Sequence, residues 1–388
     1  MKNQKKNYIE ILLTSLKLGV TSFGGPTAHL GYFKEEYVDR KKWIKHEEYA
    51  QIIALCQFLP GPASSQVGMA IGMLRGGIIG GILSFLGFTL PSVLALIIFA
   101  LLYKQYEFAD MGWIHGLKLV AVAVVAHAVF DMARKLNKER SQIVIMVLAT
   151  TIILLVNGPF VQVGVIICAG IIGMILYRDA SSKVISSYTI PISKRTGIWA
   201  FVVFFFLLMG LPIASKLLNI QWLTVFDTFY RSGSLVFGGG HVVLPLLESE
   251  VVTSGWISQA EFLAGYGMAQ AVPGPLFTFA SYIGAMMSGI GGGMLATIAI
   301  FLPAFLLVVG SLPFYNEVRN RLAFQGALTG IGAAVIGILL AALYDPVWTS
   351  TVQDGFDFAR VLILYVCLAI WKFPPWLIVI LGVGLGSL

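Results

Sequence analysis

Residues 78–103, IIGGILSFLGFTLPSVLALIIFALLY, run without a single charged side chain. A run of about twenty apolar residues is the length that crosses the roughly 30 Å hydrocarbon core of a bilayer. In that solvent every backbone amide must be satisfied within the protein, which leaves helices or a closed barrel. Uninterrupted runs of this kind are helical, and more follow at 141–157, 160–177, 197–213 and 293–314. Only 12% of the chain is charged and its mean hydropathy is +0.85, whereas a soluble domain carries about 25% charged residues. An all-α polytopic membrane protein is therefore expected, with the lipid bilayer as its main partner. The opening MKNQKKNYIEILLTSLKLG lacks a small-residue cleavage site and is not read as a cleavable signal. Basic helix ends account for the net charge of +7, so nucleic acid is not an expected partner. Cys56, Cys168 and Cys367 stand apart in apolar segments with no CxxC or Cys/His cluster. Neither a disulfide framework nor a metal site is expected, and nothing calls for a cofactor.

The chain repeats itself. Phe23-Gly24-Gly25 recurs as Phe237-Gly238-Gly239, an offset of 214 positions, and at the same offset Lys17 meets Arg231, Gly19 meets Gly233 and Glu36 meets Glu250. After a slip of one residue, Trp43-Ile44 meets Trp256-Ile257, Glu48 meets Glu261, Gln57 meets Gln270, and Pro60-Gly61-Pro62 meets Pro273-Gly274-Pro275. The flanking charges of the copies are opposite. Residues 34–45, KEEYVDRKKWIK, hold five bases; their counterpart 247–261, LESEVVTSGWISQAE, holds three acids and no base. Under the positive-inside rule such pairs lie on opposite sides of the membrane, which predicts two inverted-topology repeats.

This charge pattern sets the expected plan. The stretches 8–33 and 46–76 enter and return as re-entrant helical hairpins broken at FGGP and PGP, followed by spans near 78–103, 113–134, 141–157 and 160–177. Domains are expected at 1–177 (first repeat), 178–196 (polar cytoplasmic linker), 197–217 (a single inverting helix) and 218–388 (second repeat). The second copy repeats the plan near 221–246, 259–289, 291–315, 320–344, 357–372 and 374–387. The N-terminus is then cytoplasmic and the C-terminus outside. Reading the hairpins as pairs of full spans keeps the same parity.

The breaks carry chemistry. Irregular backbone at membrane depth is tolerated only where it is buried in protein or lines a cavity. Gly25-Pro26 and Gly61-Pro62 each read as a turn followed by a helix start, which presents unpaired amides and the positive end of a dipole. That is an anion site, expected to comprise Gly24, Gly25, Gly61, Gly238, Gly239 and Gly274. Ser64, Ser65 and Thr278 add hydroxyls, and Gln57 and Gln270 are aligned candidates for donor or cap. Lys17 and Arg231 each precede a glycine turn by about two helical turns; together they carry +2, matching a divalent oxyanion, although an interfacial lysine also snorkels. Glu48 and Glu261 sit at loop edges where a helix start or ion coupling would use them. His127 and Asp131 share a helix face and could relay a proton or form a structural hydrogen bond. His29 and His241 adjoin the FGG turns but do not align with each other.

FGGP at 20–33, W-I-x(4)-E-Y at 43–49 and Q-x-x-P-G-P at 57–62, with their second-copy versions, resemble the chromate ion transporter family in its long two-domain form, over essentially the whole chain. The resemblance implies a multi-pass carrier of the inner (plasma) membrane that exports chromate, with sulfate as structural analogue and two halves of opposed orientation. The second copy departs from the pattern with FGGG in place of FGGP. The expected function is a secondary active transporter of a tetrahedral dianion working by alternating access; the alternative is a carrier or channel for sulfate or another small anion. A homodimer is compatible with either. A membrane enzyme is the remaining class, but HExxH, GxSxG and the phosphate-binding GxxxxGK[ST] are all missing from the sequence.

Overall fold

A computed structural model describes residues 8–23, 25–106, 112–136, 139–156, 161–177, 192–236, 243–314 and 322–387, and every regular element among them is helical. Helices α1 (Tyr8–Thr21) and α2 (Gly25–Phe33) flank the first break, and a π-helical stretch (Lys34–Arg40) continues α2. Helices α3 (His46–Phe58) and α4 (Ala63–Tyr106) flank PGP. Then come α5 (Gly112–Leu136), α6 (Arg140–Leu155), α7 (Val161–Leu176) and α8 (Lys194–Leu218). The second copy gives α9 (Gln221–Leu235), α10 (Val243–Val251), α11 (Gln259–Ala271), a 3-10 turn (Leu276–Thr278) and α12 (Phe279–Ser311). It ends with α13 (Leu322–Ala342), a π-helical turn (Leu343–Trp348), α14 (Gly355–Ala369) and α15 (Pro375–Gly386). Five helical stretches among the described residues are long and apolar enough to cross a membrane: Ala63–Tyr106, Gly112–Arg134, Lys194–Leu218, Leu276–Phe314 and Thr329–Trp348.

Helix α4 has 44 residues and would be roughly 66 Å long if straight, about twice a bilayer core. It is folded at Gly77, where φ is +66° and ψ −157°, a conformation open to glycine and strained for any side chain. The leg before the fold, 63–76, is only about 21 Å long. The two legs return against each other through Gly72 and Gly80: a Cβ on either would run into the carbonyl oxygen of the other. The second copy repeats this device in α12, with Gly289 at φ +66° and ψ −154°, and Gly284 facing Gly292 in the same way. The sequence repeat is thus a structural repeat down to the backbone angles.

Two compact units result, and they cut across the two copies. The first unit takes α1 to α3, α4 as far as Phe99, α8, α9 and 272–314. Here α1 lies on the far leg of α4, where a Cβ on Gly19 would sit 2.7 Å from the Gly87 and Phe88 oxygens. In the same way α9 lies on α12, Gly233 meeting the Ile300 oxygen, and Tyr230 Oη donates to the Phe204 carbonyl of α8 at 3.1 Å. The second unit takes the end of α4, α5 to α7, α10, α11 and α13 to α15. Its helices also pack through small residues, Gly173 on Gly326 and Gly330, and Gly116 on Gly382. Close backbone approach replaces the hydrophobic effect as the source of helix association in lipid.

The glycine folds make a direct prediction. Gly289→Ala puts a side chain at positive φ and is expected to cost about 1–3 kcal/mol. Gly292→Ala adds a steric clash with Gly284 and should cost more. Thermal melts in detergent check both, with Gly291→Ala, which meets open space, as the near-neutral control.

Candidate functional site

The two breaks of one copy are tied to those of the other. At PGP of the first copy, Gly61 (φ +114°) donates its N–H to the Val236 carbonyl at 2.7 Å. At PGP of the second copy, Gly274 (φ +107°) donates to the Ser22 carbonyl at 3.0 Å. Ser22 and Val236 are equivalent positions, 214 apart, each just before an FGG motif. A Cβ on Gly61 would lie 3.0 Å from the Ala304 Cβ, and one on Gly274 would lie 2.8 Å from Ser92 Oγ; Ala304 and Ser92 are again equivalent. Contacts that exchange in this way are what a pseudo-twofold axis requires.

Around these crossed turns the first unit buries polar groups. Helix α4 begins at Ala63, and its first intrahelical bond is Gln66 N–H to the Pro62 carbonyl at 3.0 Å, leaving the amides of residues 63–65 without an intrahelical acceptor. Ser64 Oγ lies 3.2 Å from His29 Nδ1. The His29 ring packs edge-on against Phe88, centroids 5.4 Å apart. Thr89 follows Phe88, and its carbonyl accepts from Ser92 Oγ at 3.0 Å. Gln66 Nε2 donates to the Pro60 carbonyl at 2.8 Å. Five side-chain atoms here are buried with no hydrogen-bond partner among the described residues: Ser22 Oγ, His29 Nε2, Ser65 Oγ, Gln66 Oε1 and Thr89 Oγ1, on residues no more than 3% exposed. An unsatisfied buried polar atom costs about 1–3 kcal/mol. The five lie on the break before α2, on α2 itself and on both legs of α4.

The other expected site residues are placed as follows. Gly24, Gly238 and Gly239 lie outside the described residues. Gly25 opens α2 at φ +73° with space where a side chain would be. Thr278 is buried, its hydroxyl given to the Pro275 carbonyl at 2.7 Å. Gln57 is exposed on α3, and Gln270, in the second unit, shares a side-chain hydrogen bond with Tyr266. Lys17 Nζ is 2.6 Å from Glu36 Oε2, and Arg231 Nε is 3.0 Å from Asp227 Oδ2. The expected charge of +2 is therefore matched here by two carboxylates. Glu48 accepts from the Lys45 amide at 3.1 Å and Glu261 from the Ser258 amide at 2.6 Å, so each caps the start of its helix. His127 sits on α5 with its ring 6.3 Å from that of Tyr365, and Asp131 follows one turn later, part-buried.

Sequence reasoning missed several groups. His29 and His241 do not align with each other, so the repeat gives no support to His29; its signal is its place one turn into the helix that FGGP opens. Asp227 lies four residues before Arg231 on one helix face, a legible spacing. Glu36 meets Lys17 from across a break, and no local pattern announces that. In the second unit, Asp357 accepts from His115 Nε2 at 2.8 Å and from the Gln353 amide at 3.1 Å, clamping the start of α14 to α5.

Two buried glutamates, Glu36 in the π-helical stretch after α2 and Glu248 on α10, have opposite electrostatics. Burial would raise the Glu36 carboxyl, but the hydrogen bond and charge of Lys17, with Arg40 and Lys41, outweigh it and hold the group below its ordinary 4.5. Glu248 is pushed up to about 8 by burial, opposed by the Gln259 hydrogen bond (2.5 Å) and reinforced by the charge of Asp345.

A multi-pass helical membrane protein of two copies whose broken helices meet around buried polar groups has the architecture of a repeat-built transporter. A family model described as chromate transporter matches residues 9–174 and 223–387, and the chain belongs to that family. The chromate transport protein of Pseudomonas aeruginosa is 27% identical over 354 residues, covering 87% of this chain and 81% of its own. That of Cupriavidus metallidurans is 26% identical over 86% of this chain and 81% of its own. An uncharacterized transporter of Bacillus subtilis is 30% identical over 164 residues, which is 40% of this chain but 82% of that protein. No solved structure matches the chain.

The glutamates supply a pH test. Glu248, raised when folded, contributes stability that is full below about pH 4.5 and lost as pH rises through about 8. Glu36, lowered when folded, contributes stability that is full above about pH 4.5 and lost as pH falls through its folded value. Melts in detergent should show Glu248→Gln several degrees more stable than the parent near pH 9 and alike near pH 4. Glu36→Gln should be less stable at neutral pH, with the gap closing in acid.

Proposed function

We propose that the chain is a secondary active transporter that carries chromate, a tetrahedral divalent oxyanion, out of the cell by alternating access. The observation that carries this reading is the crossed pair of turns, Gly61 to Val236 and Gly274 to Ser22, beside buried hydroxyls that lack a protein partner. Membership of the chromate transporter family supports the substrate class. Ser64, Ser65 and the amides that open α4 contribute the donors. The hairpin on either side of the crossed bonds rocks against its counterpart, so that the turns stay central while access changes. Lys17 and Arg231 serve at the approaches, where an incoming dianion competes with Glu36 and Asp227 for them. Opposite flanking charges at 34–45 and 247–261 support an inverted pair of repeats in the cell membrane, with the N-terminus cytoplasmic and the C-terminus outside. Sulfate, of the same charge and shape, is the natural competitor.

Radiolabelled chromate uptake into inside-out vesicles tests the reading. The parent chain should concentrate the label, and Lys17→Ala and Arg231→Ala should each lower the rate about tenfold or more. Undiminished flux in both variants would remove these bases from the path. Cysteines placed at 34–45 and 247–258 should label from opposite sides of the membrane.

A further inference from the structure

The occupant of the polar neighbourhood is, on the reading above, an anion with two charges, yet the fixed cations expected to meet it are engaged elsewhere. Lys17 is held by Glu36 and Arg231 by Asp227. Among the described residues, the polar groups noted beside the crossed turns are hydroxyls, amides and one imidazole. His29 is the single ionisable side chain among the five with an unsatisfied atom. Its contacts among the described residues are uncharged: Ser64 Oγ lies 3.2 Å from Nδ1, the Phe88 ring packs at 5.4 Å, and the Ser22 backbone lies within hydrogen-bonding range. These contacts come from the break before α2, from the start of α4 and from its far leg; none brings a carboxylate or a base. Nε2 is buried with no hydrogen-bond partner among the described residues.

A buried imidazole in apolar and neutral polar surroundings favours the uncharged form, and an opposite charge within about 4–6 Å reverses that preference. The Ser64 hydroxyl beside Nδ1 can accept from a ring that donates from both nitrogens. We propose that His29 takes up a proton together with the oxyanion, so that the imidazolium donates from Nε2 to the anion while Ser22, Ser65 and Thr89 donate from their hydroxyls. The step is an association: a neutral imidazole gains one proton from water on the side where the dianion enters, and releases it where the anion leaves. The bound pair then carries one negative charge fewer than the anion alone. Gln66 Oε1, the one obligate acceptor in the group because Nε2 is committed to Pro60, suits a bridging water or the O–H of a protonated oxyanion. This inference rests on the anion-carrier reading and adds the coupling ion and the residue that holds it.

Sulfate is the probe, because it stays unprotonated at neutral pH and cannot itself supply the proton. Purified full-length protein in weakly buffered detergent solution is mixed with sodium sulfate near pH 7.5, while a pH indicator and calorimetry follow proton uptake and binding. About one proton per sulfate bound is expected. His29→Gln, which keeps a donor but cannot ionise, should bind sulfate with no proton uptake. In proteoliposomes, the sulfate KM of the parent should fall by about tenfold between pH 8 and pH 6, and the Gln variant should show a flat profile. Thr89→Val should raise KM at every pH without changing the slope. Sulfate binding by the parent with no proton uptake overturns the role of His29 and leaves the transport reading intact, and this measurement needs no variant. Equal proton uptake by His29→Gln would do the same. A parent protein that neither binds nor moves sulfate or chromate overturns the transport reading and this inference with it.

Discussion

Two backbone hydrogen bonds, Gly61 to Val236 and Gly274 to Ser22, organise the centre of the first unit. In hydrocarbon an open amide or carbonyl has no water to turn to, so a helix can break only where something else completes it. Here each copy supplies the group that the other lacks. The carbonyl left over before FGG in one copy accepts the amide left over inside PGP of the other. Positive φ at Gly61 and Gly274 is what turns those amides outward from their own chain. The helix that follows PGP can then present its first amides to the polar neighbourhood. Break, turn and site are consequences of one exchange.

Much of this was legible in the sequence because the signals were local and doubled. The hairpin expected at 46–76 ends at the observed fold of Gly77, and its equivalent at 259–289 ends at Gly289. Both follow from glycine at the one position where the chain must reverse. The capping by Glu48 and Glu261 was equally local, three residues from the helix start. What escaped was long-range or single-copy. Glu36 is nineteen positions from Lys17, across a break. His29 has no twin, so an approach that trusted symmetry passed over the most chemically versatile group near the turns. The crossing of the copies was also invisible, because a repeat shows which segments are alike and not which of them touch.

Charge placement sets which groups lie near the crossed turns. A lysine or arginine facing a low-dielectric interior is expensive unless paired, and both bases of the repeat are paired, Lys17 with Glu36 and Arg231 with Asp227. Hydroxyls, amides and a helix start can be buried at far lower cost than a bare ion.

The exchanged bonds also impose an order of events on the newborn chain. Ser22 and Gly274 are far apart in sequence, and at the usual rate of about 5–20 residues per second the ribosome delivers the second roughly 10–50 seconds after the first. For that interval the N-terminal turns have no acceptor or donor of their own kind to close on. They must be sheltered by the insertion machinery or by other chain segments until the second half arrives. The centre of this protein is therefore among the last parts of it to form, and a ribosome stalled in the second copy would leave in the membrane a half with its polar backbone uncovered.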